Sequence, residues 1–247
     1  MKLTIIGAGP GGYVAALKAA RLGALVTVIE DTEVGGTCLN RGCIPTKSLI
    51  ASVGALQTAK RLNEYGIDIQ GDILPNMSKI MERKNKIVAI QVRGIRSLFK
   101  SWGITLFEGR GRILTPSKVE VRKKDGVTEV IDTDKIIIAT GSRPAELPLF
   151  LPDGEHILSS DHAVSINSIP KSLIIIGAGI IGCEFACIFR ELGTEITMVE
   201  MMPGALSSED HEIAALLQKE FIKKKIKLFS SVRVERVERD QTVFIYT

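Results

Sequence analysis

The chain has 247 residues, 45% of them hydrophobic, with 32 lysines and arginines against 28 aspartates and glutamates and a formal net charge of +4. That is enough apolar material for one large or two ordinary domains, and it excludes a disordered or fibrous chain. So mild a charge imbalance argues against nucleic acid as a partner, because such binders concentrate cations on one face to release counterions.

Residues 3–6 form an apolar run that ends in Gly7-Ala8-Gly9-Pro10-Gly11-Gly12. An alanine-rich helical stretch follows over about 11–22, then a second apolar run over 26–29 that closes on Glu30. Gly7 permits a tight bend, Gly9 lets a pyrophosphate reach the backbone, and Gly12 lets helix and strand approach. The helix N-terminus would offer its N–H groups to the phosphates, and Glu30 would hydrogen-bond the adenosine ribose. A purely structural turn is the competing reading of G-x-G-x-x-G alone; the flanking strand, helix and acid favour the nucleotide. No run approaches the ~18 apolar residues that span a bilayer, and a strand beginning straight after Met1 and Lys2 leaves no room for a cleavable leader. The expectation is a cytoplasmic protein with no membrane contact, in which the four cysteines are catalytic or structural thiols rather than staples.

Next comes Gly35-Gly36-Thr37-Cys38-Leu39-Asn40-Arg41-Gly42-Cys43-Ile44-Pro45-Thr46-Lys47. Two cysteines five positions apart on a regular helix point about 140° apart. A bridge would therefore require a distorted turn, which Gly42 makes feasible; two separate buried thiols are the other reading of the spacing. Residues 49–100 read as helical, with Ile80, Met81, Ile87, Val88, Val92, Ile95, Leu98 and Phe99 at helical spacing, and are expected to cover the first sheet. Over 104–139 the period shortens towards two, with short runs at 118–121 and 135–138 around a Lys124-Asp125-Gly126 turn, as in a small β-meander. Pro144, Pro148 and Pro152 then punctuate a linker, placing a domain boundary near 145–155.

The opening pattern now returns: an apolar run over 173–176, Gly177-Ala178-Gly179, a helix over about 181–192 that includes Gly182, and a run over 196–199 closing on Glu200. Gly7 to Glu30 and Gly177 to Glu200 span the same 23 positions, so two βαβ openings predict an α/β chain with two nucleotide-binding domains. The carboxylate of Glu200 suits the free 2′-hydroxyl of NAD and repels the 2′-phosphate of NADP. Beyond it, a helix over about 209–223 is expected to turn Ile213, Leu216, Leu217 and Phe221 inward, followed by a strand at 226–229 and β-like residues to Thr247. Cys183 and Cys187, four apart on a helix, read as core packing, and His156, His162 and His211 are scattered, so no metal is indicated. Lys219, Lys223, Lys224, Lys225 and Lys227 read as the solvated end of a helix.

The run from Gly35 to Lys47 resembles the redox-active motif of the class I pyridine nucleotide-disulfide oxidoreductases, and its Leu-Asn-Arg-Gly-Cys-Ile-Pro-Thr-Lys wording is most similar to their dihydrolipoamide-oxidising branch. Ala139-Thr140-Gly141-Ser142-Arg143-Pro144 resembles that family's second flavin-contact turn, Ser159-Ser160-Asp161 its linker into the NAD domain, and Gly177 to Glu184 its NAD fingerprint. The resemblance implies two Rossmann-like FAD/NAD(P)-binding domains of three-layer ββα type, at 1–148 and 149–247, the second incomplete on its C-terminal side. It implies a Cys38–Cys43 disulfide, with Cys38 as the interchange thiol and Cys43 as the thiolate against the flavin that gives a charge-transfer band. Lys47 would lie near flavin N5, paired with Glu184. FAD would be held by Gly7, Gly9, Gly12, Glu30, Gly36, Thr37, Lys47, Gly111, Thr140, Gly141 and Ser142, and NAD by Gly177, Gly179, Ile181, Gly182, Glu200 and Val232. The implied reaction carries electrons from dihydrolipoamide, or a lipoyl-protein dithiol, through the disulfide and FAD to NAD.

Family members also carry a later Gly-Asp flavin turn and an interface domain with a catalytic histidine–glutamate pair, neither of which occurs in these 247 residues. The expectation is the N-terminal part of a longer homodimeric enzyme. The alternative is a short flavin-binding redox module, an electron carrier or thiol sensor without turnover. Glutathione and mercuric reductases share the cysteine motif; Glu200 argues against the NADPH-dependent members, and no metal-binding domain of the mercuric type precedes Gly7.

Overall fold

The computed structural model describes residues 1–145, 151–239 and 243–246; Pro148 and Thr247 lie outside the described residues. Two compact units form, Met1–Pro45 with Lys84–Arg143, and Thr46–Arg83 with Pro144–Thr247. The break at Arg143 falls just before the first of the linker prolines, while residues 46–83 group with the second unit.

In the first unit, β1 (Lys2–Ile6), α1 (Pro10–Arg21) and β2 (Leu25–Glu30) make the expected βαβ opening. A six-stranded sheet in the order β5-β4-β3-β2-β1-β6 adds β3 (Thr105–Thr115), β4 (Lys118–Lys123), β5 (Thr128–Asp132) and β6 (Lys135–Ile138). β3 pairs in parallel with β2 up to Glu108 and antiparallel with β4 from Gly109 onward, so it carries the chain from the parallel sheet into the meander. Successive strand residues face opposite sides. Ile5 accordingly packs with Ala16, Val28, Ile95 and Phe99 on the helical side, and Ile6 packs with Ile29, Val119 and Val121 under the meander. The Asp125 carboxylate accepts the Val127 N–H at 3.0 Å, and Gly126 takes φ +86°, which makes the expected hairpin turn. The 135–138 run is a correction: as β6 it pairs in parallel with β1, on the far side from β2, and is no part of the meander. Periodicity identifies a strand but not its neighbour.

Two long helices, α3 (Cys43–Lys60) and α4 (Met77–Ser101), account for the helical region. Leu49, Val53, Met77 and Met81 belong to the core of the second unit, whereas Ile95 and Phe99 belong to that of the first. Within residues 49–100, those that cover the first sheet, beside Ala16 of α1, lie in the later part of α4, where Leu98 is itself exposed.

In the second unit, β7 (Ser172–Ile176), β8 (Glu195–Val199) and β9 (Lys227–Phe229) form a parallel sheet in that order. They are joined by α6 (Ile180–Leu192) and α7 (His211–Lys223), with α5 (Ser160–Ala163) before them and a hairpin of β10 (Arg236–Arg239) and β11 (Val243–Tyr246) after. The Asp210 carboxylate caps α7 by accepting N–H groups of Glu212 and Ile213. Ala214 and Phe221 are buried and Leu217 packs beside them, but Ile213 and Leu216 are 59% and 57% exposed. They do not turn inward as their spacing suggests, because the helix buries a narrow stripe at 214, 217 and 221 and leaves the flanking positions outside it. Among the described residues no helix is long and apolar enough to cross a membrane.

Candidate dinucleotide turns and dithiol site

The first turn is built by backbone contact. Gly7 leaves β1 at φ +104°, Gly9 is the extended N-cap of α1, and Pro10 starts the helix without an N–H to satisfy. A side chain at Gly12 would run into the Gly7 carbonyl, and one at Gly36 into the Gly9 Cα. The Gly35 N–H donates to the Ala8 carbonyl at 2.8 Å, so the 35–36 segment lies on the turn. A side chain at Gly7 would meet the Ala139 carbonyl and come within 3.2 Å of the Thr140 Cα, so Thr140, with Gly141 and Ser142 following, lies beside the same turn. All three are exposed.

Glu30 closes this turn. It is 7% exposed; its Oε2 accepts the Ala8 N–H at 2.6 Å, and its Oε1 accepts the Thr32 N–H at 2.9 Å and the Thr32 hydroxyl at 2.8 Å. Thr32 was not singled out by sequence reading; a hydroxyl residue two positions past an acid that ends a strand is the signal that finds it. Gly111, in β3 opposite Val121, is pressed against Ile6 and Ile29, with 3.2 and 3.4 Å left for a Cβ.

The second turn repeats the first. Gly177 takes φ +101°, Gly179 is the extended N-cap of α6, and a side chain at Gly182 would run into the Gly177 carbonyl. Glu200 Oε2 accepts the Ala178 N–H at 2.6 Å and Oε1 the Met202 N–H at 2.7 Å. Ile181 is 58% exposed at the start of α6, and the Val232 N–H donates to the Glu200 carbonyl at 3.0 Å. Cys183 donates its thiol to the Ala178 carbonyl at 3.3 Å. Burial pushes that thiol up to about 12 and raises Cys187 as well, so both are core thiols.

Cys38 lies in the short helix α2 (Gly36–Asn40), after the exposed Thr37. The Asn40 amide donates to the carbonyls of Val34 and Gly36 at 3.1 and 2.9 Å, and the Arg41 N–H to that of Thr37 at 2.9 Å. Gly42 then packs back on this helix: a Cβ there would lie 3.0 Å from the Thr37 carbonyl oxygen and 3.2 Å from the Cys38 Cα. α2 ends at Asn40 and α3 begins at Cys43, so the two cysteines do not share one regular helix. Cys38 is half-buried and Cys43 exposed. Cys43 is the first residue of α3.

Lys47, one turn further along α3, pairs its Nζ with the Glu184 carboxylate of α6. Chemically, the residues offer two turns each closed by an acid, two thiols on either side of a helix break, and an ammonium paired with a carboxylate. Among the described residues no group of three or more His, Cys, Asp or Glu is placed to hold a metal.

A family model described as pyridine nucleotide-disulphide oxidoreductase matches residues 1–247. A dihydrolipoyl dehydrogenase of Bacillus subtilis is 39% identical over 247 residues, all of this chain and 54% of that protein. One from Acholeplasma laidlawii is 34% identical over 98% of this chain and 72% of its own length. Among solved structures, LpdA from Mycobacterium tuberculosis superposes with a TM-score of 0.92 at 31% identity, over 99% of this chain and 55% of that one. The chain thus spans about half the length of most of the relatives it matches.

Proposed function

Since the chain belongs to the pyridine nucleotide-disulphide oxidoreductase family, we propose that it serves the oxidation of dihydrolipoamide to lipoamide, with FAD as its bound cofactor and NAD as electron acceptor. Residues 1–148 are assigned to FAD and 149–247 to NAD, in a cytoplasmic homodimeric enzyme. What supports the reading most is the redox turn itself: Cys43 opening α3, with Gly42 packed on the backbone of Cys38.

The residues present fit FAD. Gly36 lies backbone to backbone on Gly9, the N-cap of α1, where a side chain at Gly36 would strike the Gly9 Cα, and Glu30 is already held by the Ala8 N–H. Gly36, Thr37, Lys47, Gly111, Thr140, Gly141 and Ser142 are assigned to the same cofactor. NAD is assigned to Gly177, Gly179, Ile181, Gly182, Glu200 and Val232.

With the pair oxidised, a substrate thiolate attacks the Cys38 sulfur and Cys43 leaves as thiolate. The second substrate thiol then closes the lipoyl ring and releases Cys38, so one disulfide is exchanged for another and the pair holds the two electrons. Lys47 adds positive charge on the same face of α3, and Glu184 holds that ammonium in place. When bound, FAD supplies the relay that passes the two electrons to NAD as hydride.

An anaerobic visible spectrum of the chain, titrated with dihydrolipoamide and then NAD, tests the assignment. Bound flavin, a long-wavelength band on two-electron reduction, and NADH are the expected results. Flavin that binds and is reduced without yielding NADH would mark a redox module without turnover; a protein that takes up no flavin would refute the cofactor assignment.

A further inference from the structure

We propose that Thr32 is a positioning residue that locks the ribose acid of the flavin site and separates it in affinity from its counterpart at the second turn. The inference rests on the assignment of Glu30 to the adenosine ribose of FAD.

The duplication supplies an internal comparison. Both acids hold the N–H of the alanine inside the turn, Ala8 for Glu30 and Ala178 for Glu200, each at 2.6 Å. Both also accept the backbone N–H two residues on, from Thr32 at 2.9 Å and from Met202 at 2.7 Å. The two differ by one donor. The Thr32 hydroxyl donates to Glu30 Oε1 at 2.8 Å, and Met202 has no hydroxyl to offer Glu200. A carboxylate oxygen has about two acceptor sites, so two donors fill Oε1 of Glu30, while Oε1 of Glu200 keeps one open. The terminal torsion of a glutamate is otherwise broad; a third hydrogen bond fixes the carboxylate plane and leaves the remaining site on Oε2 aimed in one direction. A preorganised acceptor binds more tightly because less freedom is lost on binding. Glu30 is also buried at 7% exposure, whereas Glu200 is half-buried. A locked acid suits a cofactor that stays bound, and a looser one suits a nucleotide that must leave each turnover.

The test compares the chain with Thr32→Val and Thr32→Ser, measuring dissociation constants for FAD, ADP and NADH by calorimetry. Thr32→Val should weaken FAD and ADP by about tenfold, the scale of one hydrogen bond to a charged group, and leave NADH unchanged. Thr32→Ser should restore FAD to within about twofold. Unchanged FAD affinity in Thr32→Val overturns the proposal, and so does an equal loss of FAD and NADH, which a general structural role would give. If the unsubstituted chain binds neither FAD nor ADP, the assignment of Glu30 fails first and the proposal falls with it.

Discussion

Lys47 of α3 and Glu184 of α6, 137 positions apart in the chain, meet as an ion pair. The side chains keep 59% and 25% of their exposure, so the pair is worth little to folding, under about 1 kcal/mol after solvent screening. Its proposed value is to hold an ammonium in place. Glu184→Gln should therefore move the melting temperature by only a few degrees, yet lower dithiol-driven reduction of bound flavin by about tenfold or more. Stopped-flow reduction beside a thermal melt separates the two effects; a large drop in stability with an unaltered rate would show the pair to be structural.

The four cysteines should divide sharply towards alkylation. The thiolate is the reactive form, and with Cys183 pushed up to about 12 only about one molecule in ten thousand carries it at pH 8. Raising the pH from 8 to 9 multiplies that fraction about tenfold and still leaves it near a tenth of a per cent. Iodoacetamide at pH 8 is expected to label the exposed Cys43 first and the Cys183/Cys187 peptide last. Peptide mass spectrometry over time reads the order, and early label on Cys183 would contradict its burial.

Two glycine substitutions should act with opposite sign. Gly12→Ala drives a methyl into the Gly7 carbonyl, and backbone cannot yield as a flexible side chain would. The expected result is loss of FAD binding with destabilisation of several kcal/mol, about what strain and overpacking together cost. Gly94 lies exposed within α4 with nothing near a built Cβ. Gly94→Ala should stabilise by roughly 0.5–1 kcal/mol through helix propensity. Urea unfolding of the two variants checks both signs.

Much of this was legible in the residues because it depends on local rules. The two turns follow from glycine spacing plus a closing acid, and the Ala8–Glu30 and Ala178–Glu200 bonds are what those spacings produce. What depends on neighbours was not. The 135–138 run carries strand residues, but which edge it joins is decided by β1, more than a hundred residues earlier. The helix at 211–223 carries a wide apolar stripe, yet only the positions against Ala214 and Phe221 are covered. Residues 49–100 have one helical rhythm but serve two cores, since periodicity states that a face is buried and not by what. The Lys47–Glu184 pairing was reached through family resemblance alone, because no spacing rule links residues so far apart.

The choice between NAD and NADP should turn on Glu200. Its two oxygens are each held by one backbone N–H, from Ala178 and Met202, which keeps the carboxylate at the end of β8 and leaves acceptor sites for a ribose diol. A 2′-phosphate brought to the same place meets a like charge. Glu200→Gln keeps the shape, removes the charge, and leaves one of the two backbone donors facing an amide NH₂. NADH should bind roughly tenfold to a hundredfold more weakly, the range for losing charged hydrogen bonds. NADPH should lose less, because relief of repulsion offsets part of that loss, so the ratio of the two dissociation constants is the informative quantity. Calorimetry with both nucleotides measures it. Equal losses for NADH and NADPH would mean that Glu200 only braces the turn and does not read the ribose.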